Sequence, residues 1–461
     1  MRIKRMRRIG SRWALAGFIC GALVGGTLLT SSVIDASADS RSVSIRATVE
    51  RGLRDVLHSP PLLVERGATV SLRYDVVCQS DPAGRPCALS GSVYVRRFGD
   101  AEFSRTALVA SPGSTLVAAL PESASTGDGF SYYAVIGDDA GNEMTVPDGG
   151  AVAPQTAWVV PAATSVELGT HVFGHVRQPD GTALRASWGA ADGSLGLLTG
   201  RGQATIGPSA FDIAPDGSVV VLDQVNGRLA VYPGGRRSPR YVHIRFVGVE
   251  GDLAVGGDGT TYVLDGTGTA APLVRSFTAA GAQAGAVTVG AANADMLRAG
   301  PGGAFVHGYP GDMWLPAARA GLLLQPSAQA AAARAGRSVD GGAEVVVKAT
   351  QAGAVIALVR GKGIARAWRL TSATALGEVQ LAEPFGDGLV AVVRTWTEHD
   401  AEFVVLVLSR TGIAASFSLP AVEWAESAAL GRFRLFGRTL YQLRSASDGA
   451  EIVKFDLGGV R

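Results

Sequence analysis

The sequence predicts an all-β protein: an N-terminal β-sandwich followed by a six-bladed β-propeller. Three observations carry this. Hydrophobic residues make up 47% of the 461 and charged ones 18%, with 61 Gly and 21 Pro. That balance suits many short strands and turns better than long helices, which would need more Glu, Lys and Leu. Residues 41–163 show alternating apolar runs every eight to fifteen residues. Residues 164–461 repeat a strand–turn–strand unit with a period of 35 to 50 residues, the mark of a propeller.

The chain opens on a leader. Arg2, Lys4, Arg5, Arg7, Arg8 and Arg12 precede an apolar stretch from Trp13 to Leu29, and Ala36-Ser37-Ala38 offers a small-residue cleavage site. This is the layout of a secretory signal peptide over 1–38, and the expected address is secreted or cell envelope. The rival is an uncleaved anchor, the one route to a membrane. Its 17 apolar residues span roughly 26 Å against a hydrocarbon core of about 30 Å. Taking 1–38 away removes six basic residues and one acid from the 42 and 40, leaving a net charge of −3. The rest therefore has no electrostatic footprint for nucleic acid.

Residues 41–163 read as the sandwich. In Val70-Ser-Leu-Arg-Tyr-Asp-Val76 the apolar residues fall on alternate positions, as in a half-buried strand. Cys78 and Cys87 flank a turn-rich loop that a disulfide would staple in an oxidising compartment. Metal binding is the rival, and two thiols with no His nearby fall short of a four-ligand site. Asp138, Asp139 and Asn142 could be imagined around calcium, but Asp, Gly and Asn also make a hairpin turn, and the turn is the reading adopted. About seven strands in this length, with Phe130-Ser-Tyr-Tyr-Ala-Val-Ile136 near the end, resemble an immunoglobulin or fibronectin type III domain. That resemblance implies that Tyr132 or Tyr133 is a buried corner tyrosine.

The propeller unit is clearest in Gly207-Pro-Ser-Ala-Phe-Asp-Ile-Ala-Pro-Asp-Gly217 and the strands that follow. The turn between the first two strands of each unit is tracked by Gly217, Gly259, Gly303, Gly353, Gly388 and Gly437. Over about 45 residues the first unit resembles an NHL repeat, matching at Pro208, Asp216, Gly217, Asp223, Asn226 and Arg228. The resemblance implies that Asp223, Asn226 and Arg228 hold the turn between strands. It gives them no catalytic role. Ring closure is expected by pairing of Ala183–Trp188 with Ile452–Asp456, which removes two open sheet edges.

Turns between the second and third strands share one face with the blade-to-blade connections. On this basis Tyr309, Asp312, Trp314, Arg360, Trp396 and His399 form a candidate binding face, aromatic and Arg side chains being favoured at interfaces. The rival has Trp314 and Trp396 packed between blades. Catalytic motifs are not found: there is no His-Glu-x-x-His, no Gly-x-Ser-x-Gly and no phosphate loop. His171 and His175 sit about 13 Å apart if extended, too far to share a metal. No cofactor, metal site or catalytic residue is therefore expected. The favoured function is an exported, non-enzymatic binding or scaffold protein whose propeller face contacts a protein or a glycan. The alternative is a metal-dependent lyase or lactonase, since NHL-like six-bladed rings resemble the scaffolds of such enzymes.

Overall fold

The computed structural model describes residues 52–459, apart from 80–86, 235–237, 246–247, 249–250, 267–270, 292, 309–311, 351–352, 422–423 and 428–429. The leader, its cleavage site and the early run 43–49 lie outside the described residues. Among the described residues no helix is long and apolar enough to cross a membrane.

Two packed sheets come first. One has the order Gly52–His58, Ser71–Gln79, Thr115–Ala119, Val109–Ser111. The other runs Leu63–Glu65, Gln155–Val160, Gly129–Asp138, Leu89–Arg97, Ser104–Ala107, with Glu143–Val146 paired on Gly129–Asp138. Alternate side chains meet between the sheets: Leu72, Tyr74, Val93, Phe130, Tyr132 and Ile136 are all buried there. Of the two candidate tyrosines it is Tyr132 that is fully buried, and its hydroxyl lies 2.8 Å from His58 Nε2. Tyr133 instead stacks on Tyr94 at 4.8 Å between ring centroids.

The Cys78–Cys87 disulfide is formed. Such bonds belong to oxidising surroundings, extracellular or periplasmic. Asp138 makes a hairpin turn, as expected. Its Oδ1 accepts from the Ala140 and Asn142 amides, and its Oδ2 accepts from Leu53 N and Asn142 Nδ2. These contacts, led by the Asn142 amide, hold the carboxyl down at about 2.

Six further sheets make the propeller, numbered here I to VI along the chain. Blade I is Ala210–Ile213, Val219–Asp223, Arg228–Tyr232 and Arg240–His243, an antiparallel meander. Its second strand is buried at every position because both faces are covered. The Pro-Asp-Gly turn works as its sequence implies: Gly217 takes φ +81°, and Asp216 Oδ1 accepts from Ser218 N at 2.9 Å. Blades II, III and V repeat the plan, with inner strands Gly251–Val255, Ala294–Gly300 and Leu376–Phe385. Blade VI joins Phe433–Phe436, Thr439–Ala446 and Gly449–Asp456 to Gly181–Ser187, which pairs antiparallel with Gly449–Asp456. The seam between head and tail of the ring is thus closed by the two segments expected to close it.

Blade IV departs from the plan. Its inner strand, Arg337–Val339, has only three residues and precedes Ala343–Thr350, Gly353–Arg360 and Gly363–Thr371. A fifth strand, Thr164–Glu167, runs parallel to the last of these. Gly353 therefore opens the third strand. The turn between the first two is Asp340–Gly342, so the glycine tracked in this unit belonged to the next hairpin. The short inner strand is hard to see in sequence because it offers only Arg-Ser-Val. One face of blade IV (Val345, Ile356, Trp368) packs toward blade V. Its other face (Val346, Ala357, Val359) packs with Leu62 and Val160 of the sandwich. Arg369 to Glu65 (2.6 Å) completes this contact, and Gln155 Nε2 to Met313 Sδ (2.9 Å) ties the sandwich to blade III as well. The Ala-rich stretch after Gln325 forms one short helix, Pro326–Ala331, whose buried Gln329 caps the connection leaving blade II.

Candidate functional site

Each blade contributes one charged side chain from its inner strand to the centre of the ring: Asp212, Asp252, Arg298, Arg337, Glu383 and Arg434. Asp252 is the hub. Its Oδ2 accepts from Arg298 Nη1 at 2.7 Å and from Leu297 N, and its Oδ1 accepts from Arg434 Nη2 at 2.7 Å. Arg337 pairs with Glu383 at 2.6 Å, and Arg434 Nε lies 3.7 Å from Asp212. Three positive and three negative groups balance. Burial lowers the Arg298 guanidinium to about 10, with Arg434 next to it adding to the effect. Burial also raises the Asp212 carboxyl, against the pull of Arg434. Buried charges persist only when paired, and here the pairing runs between blades.

This ring of charges divides the channel. The lower side, where first and second strands turn, holds a cavity of about 570 Å³ touched by Asp212, Arg298, Glu383 and Arg434. The upper side, where second and third strands turn, holds one of about 360 Å³. The upper cavity exists because the blade IV inner strand is short. Above Arg337, which pairs with Val345, the edge of the next strand is uncovered, and Val345, Val347 and Ala349 line the space. Glu378, Gln380 and Leu381 of blade V form the opposite wall, and Leu62 of the sandwich reaches in from the side.

Of the expected site residues, Asp312 and Trp314 are brought together on this upper cavity. Trp314 stands 5.1 Å from the His307 ring, and the Arg337 guanidinium is 5.8 Å from its centroid. His307 Nδ1 lies 2.8 Å from Asp295 Oδ1, and Asp312 pairs with Lys348 at 3.3 Å. Trp396 and His399 sit at the second-to-third strand turn of blade V, on the same upper face but outside the cavity. Trp396 is 47% exposed, so it is not buried between blades. Tyr309 lies outside the described residues. Arg360 is a correction. Because Gly353 opens the third strand, Arg360 ends that strand at the lower face, near Asp340 and Asp387, and cannot join the others.

Asp223, Asn226 and Arg228 form a lock in which Asp223 and Arg228 are buried. Asp223 Oδ2 accepts from Arg228 Nε and Asn226 Nδ2, both at 2.8 Å, and its Oδ1 accepts from Gly196 N. Blade II repeats it with Asp265 and Arg275 at 2.9 Å. The spacing hides that partner in the sequence, since Arg275 follows Asp265 by ten residues where Arg228 follows Asp223 by five. His171 has its own partner, Glu402 Oε2 at 2.8 Å, and does not pair with His175.

A metal of the kind the lyase or lactonase reading implies does not fit the centre of this ring. The acidic oxygens there are engaged by three guanidinium groups, whose positive charge would repel a cation. Among the described residues no group of three or more His, Cys, Asp or Glu is placed to hold one.

The fold and site define an all-β propeller with a sandwich packed mainly on blade IV. No protein-family model matches the chain, and no curated protein matches it. Among solved structures it is similar to hydrazine synthase from Kuenenia stuttgartiensis, at 14% identity over 54% of this chain and 80% of that one (TM-score 0.36). It is also similar to a Bacteroides thetaiotaomicron protein of unknown function, at 10% identity over 88% and 98% (TM-score 0.27). A streptogramin B lyase aligns at 9% identity over 88% and 96% (TM-score 0.20).

Proposed function

We propose that this is an exported, non-enzymatic binding or scaffold protein whose upper propeller face contacts a protein or glycan partner. The leader supplies the export signal, and the sandwich, immunoglobulin- or fibronectin type III-like in plan, acts as a spacer for an NHL-like ring. One observation carries the reading: Asp312 and Trp314 meet on the upper face, and Trp396 and His399 stand exposed on that same face. Exposed aromatic groups on a rigid scaffold are the usual anchors of an interface. The acidic groups beneath them are already engaged by guanidinium groups, which favours surface binding over chemistry within the channel.

The test is capture of partners from an envelope fraction by the full chain, with a W314A/W396A double variant as control. The expected result is one or more partners held by the wild type and lost by the variant. Equal capture by both would overturn the assignment of this face. Metal content after purification without chelators decides the alternative. One tightly held divalent ion per chain would favour the lyase or lactonase.

A further inference from the structure

The upper cavity has a chemistry of its own, apart from any macromolecular contact on the surrounding face. Its volume of about 360 Å³ lies in the range of small-molecule sites, and its walls are largely apolar with a few placed polar groups. Most of its charges are already matched: Arg337 with Glu383, Arg298 with Asp252, Asp312 with Lys348, Asp295 with His307. Glu378 is different. It has no basic partner among the described residues, and its Oε2 only meets Gln380 Nε2 at 3.5 Å.

Gln380 is the second observation. It is 4% exposed, lines the same wall, and its Oε1 has no hydrogen-bond partner among the described residues. With Nε2 turned toward the carboxylate, the free atom is an acceptor. A buried acceptor without a donor is costly, and a ligand that donates to it recovers that cost. A carboxylate and, on the same wall beyond the amide nitrogen that faces it, an unsatisfied amide oxygen call for a group rich in N–H donors and positively charged. Opposite them lie Val345, Val347, Leu62 and the Trp314 ring, suited to an apolar body.

We propose that the upper cavity binds a small primary amine, its ammonium donating to Glu378 and Gln380 and its apolar body lying against the valine wall and Trp314. This goes beyond the binding face proposed above, and the two fail separately, since capture of a macromolecule does not require the cavity to be filled.

The test is calorimetric titration of the full chain with 2-phenylethylamine, 2-phenylethanol and phenylacetate, which share a shape and differ in charge. The amine should bind saturably, the alcohol about tenfold more weakly, and the acid weakest of all. E378Q, at an exposed position, should keep the melting temperature and weaken amine binding about tenfold, bringing it level with the alcohol. Q380M should weaken the amine by a smaller factor. Equal binding of all three compounds would overturn the proposal. So would an E378Q variant that binds the amine as well as wild type, or no saturable binding of the amine up to about 10 mM.

Discussion

Blades I and IV start from the same plan and end with different roles. Blade I has four strands of similar length, apolar neighbours on both faces, and the Asp223–Arg228 lock tying its central turn to the preceding connection. Blade IV has a three-residue inner strand, a fifth strand outside, and a sandwich on one face. Where the inner strand is complete it fills its sector of the channel. Where it is short, the edge behind it is bared and a cavity opens. A filled sector and an open one are thus set apart by the length of one strand.

The largest effect should come from the feature that all blades share. Deleting residues 455–461 removes Phe455 and Leu457, both fully buried, and frays the closing pair with Gly181–Ser187. Loss of a buried Phe alone costs about 3–5 kcal/mol. The expected outcome is aggregation or rapid proteolysis, and an unaffected melting curve would count against ring closure. D252A comes next, because it strands two buried guanidinium groups at once. Breaking a buried pair costs about 3–5 kcal/mol, read as a lower denaturation midpoint. D223A tests blade I by itself and should approach that range, since both partners of the lock are buried.

A smaller effect separates the two blades. L62A trims a buried side chain that blade IV shares with the sandwich, at about 2–5 kcal/mol if the gap does not close. It should speed proteolysis near 161–163 and leave peptides of blade I equally protected. The smallest effect concerns acid. Asp138 is held down at about 2, below the ordinary carboxylate value of about 4. Its contribution is therefore complete above about pH 4 and lost as pH falls through about 2. Amide exchange in Gly52–His58 should rise over that window, and D138N should remove the dependence.

The sequence made the repeats legible because apolar runs, turns and closure each leave local traces. Cys78–Cys87, the Asp138 turn and the Ala183–Trp188 seam could all be read that way. Blade IV could not, since Arg-Ser-Val is too short to register as a strand, and the misplaced turn sent Arg360 to the wrong face. The central charges had a faint signal: each is a lone charge within or beside a short apolar segment, as in Phe211-Asp212-Ile213 and Phe433-Arg434-Leu435. Nothing local says that such residues, as far apart in the chain as Asp212 and Arg434, meet in one ring. Gln380 and Glu378 were invisible for the same reason, because what sets them apart is a missing partner in space.

The contrast between the blades is tested most directly by hydrogen–deuterium exchange of the full chain with and without saturating 2-phenylethylamine. Protection should rise in 376–382 and 313–319, around the upper cavity, and stay unchanged in 210–232 of blade I. Protection centred on blade I would contradict the division of labour between a closed blade and an open one.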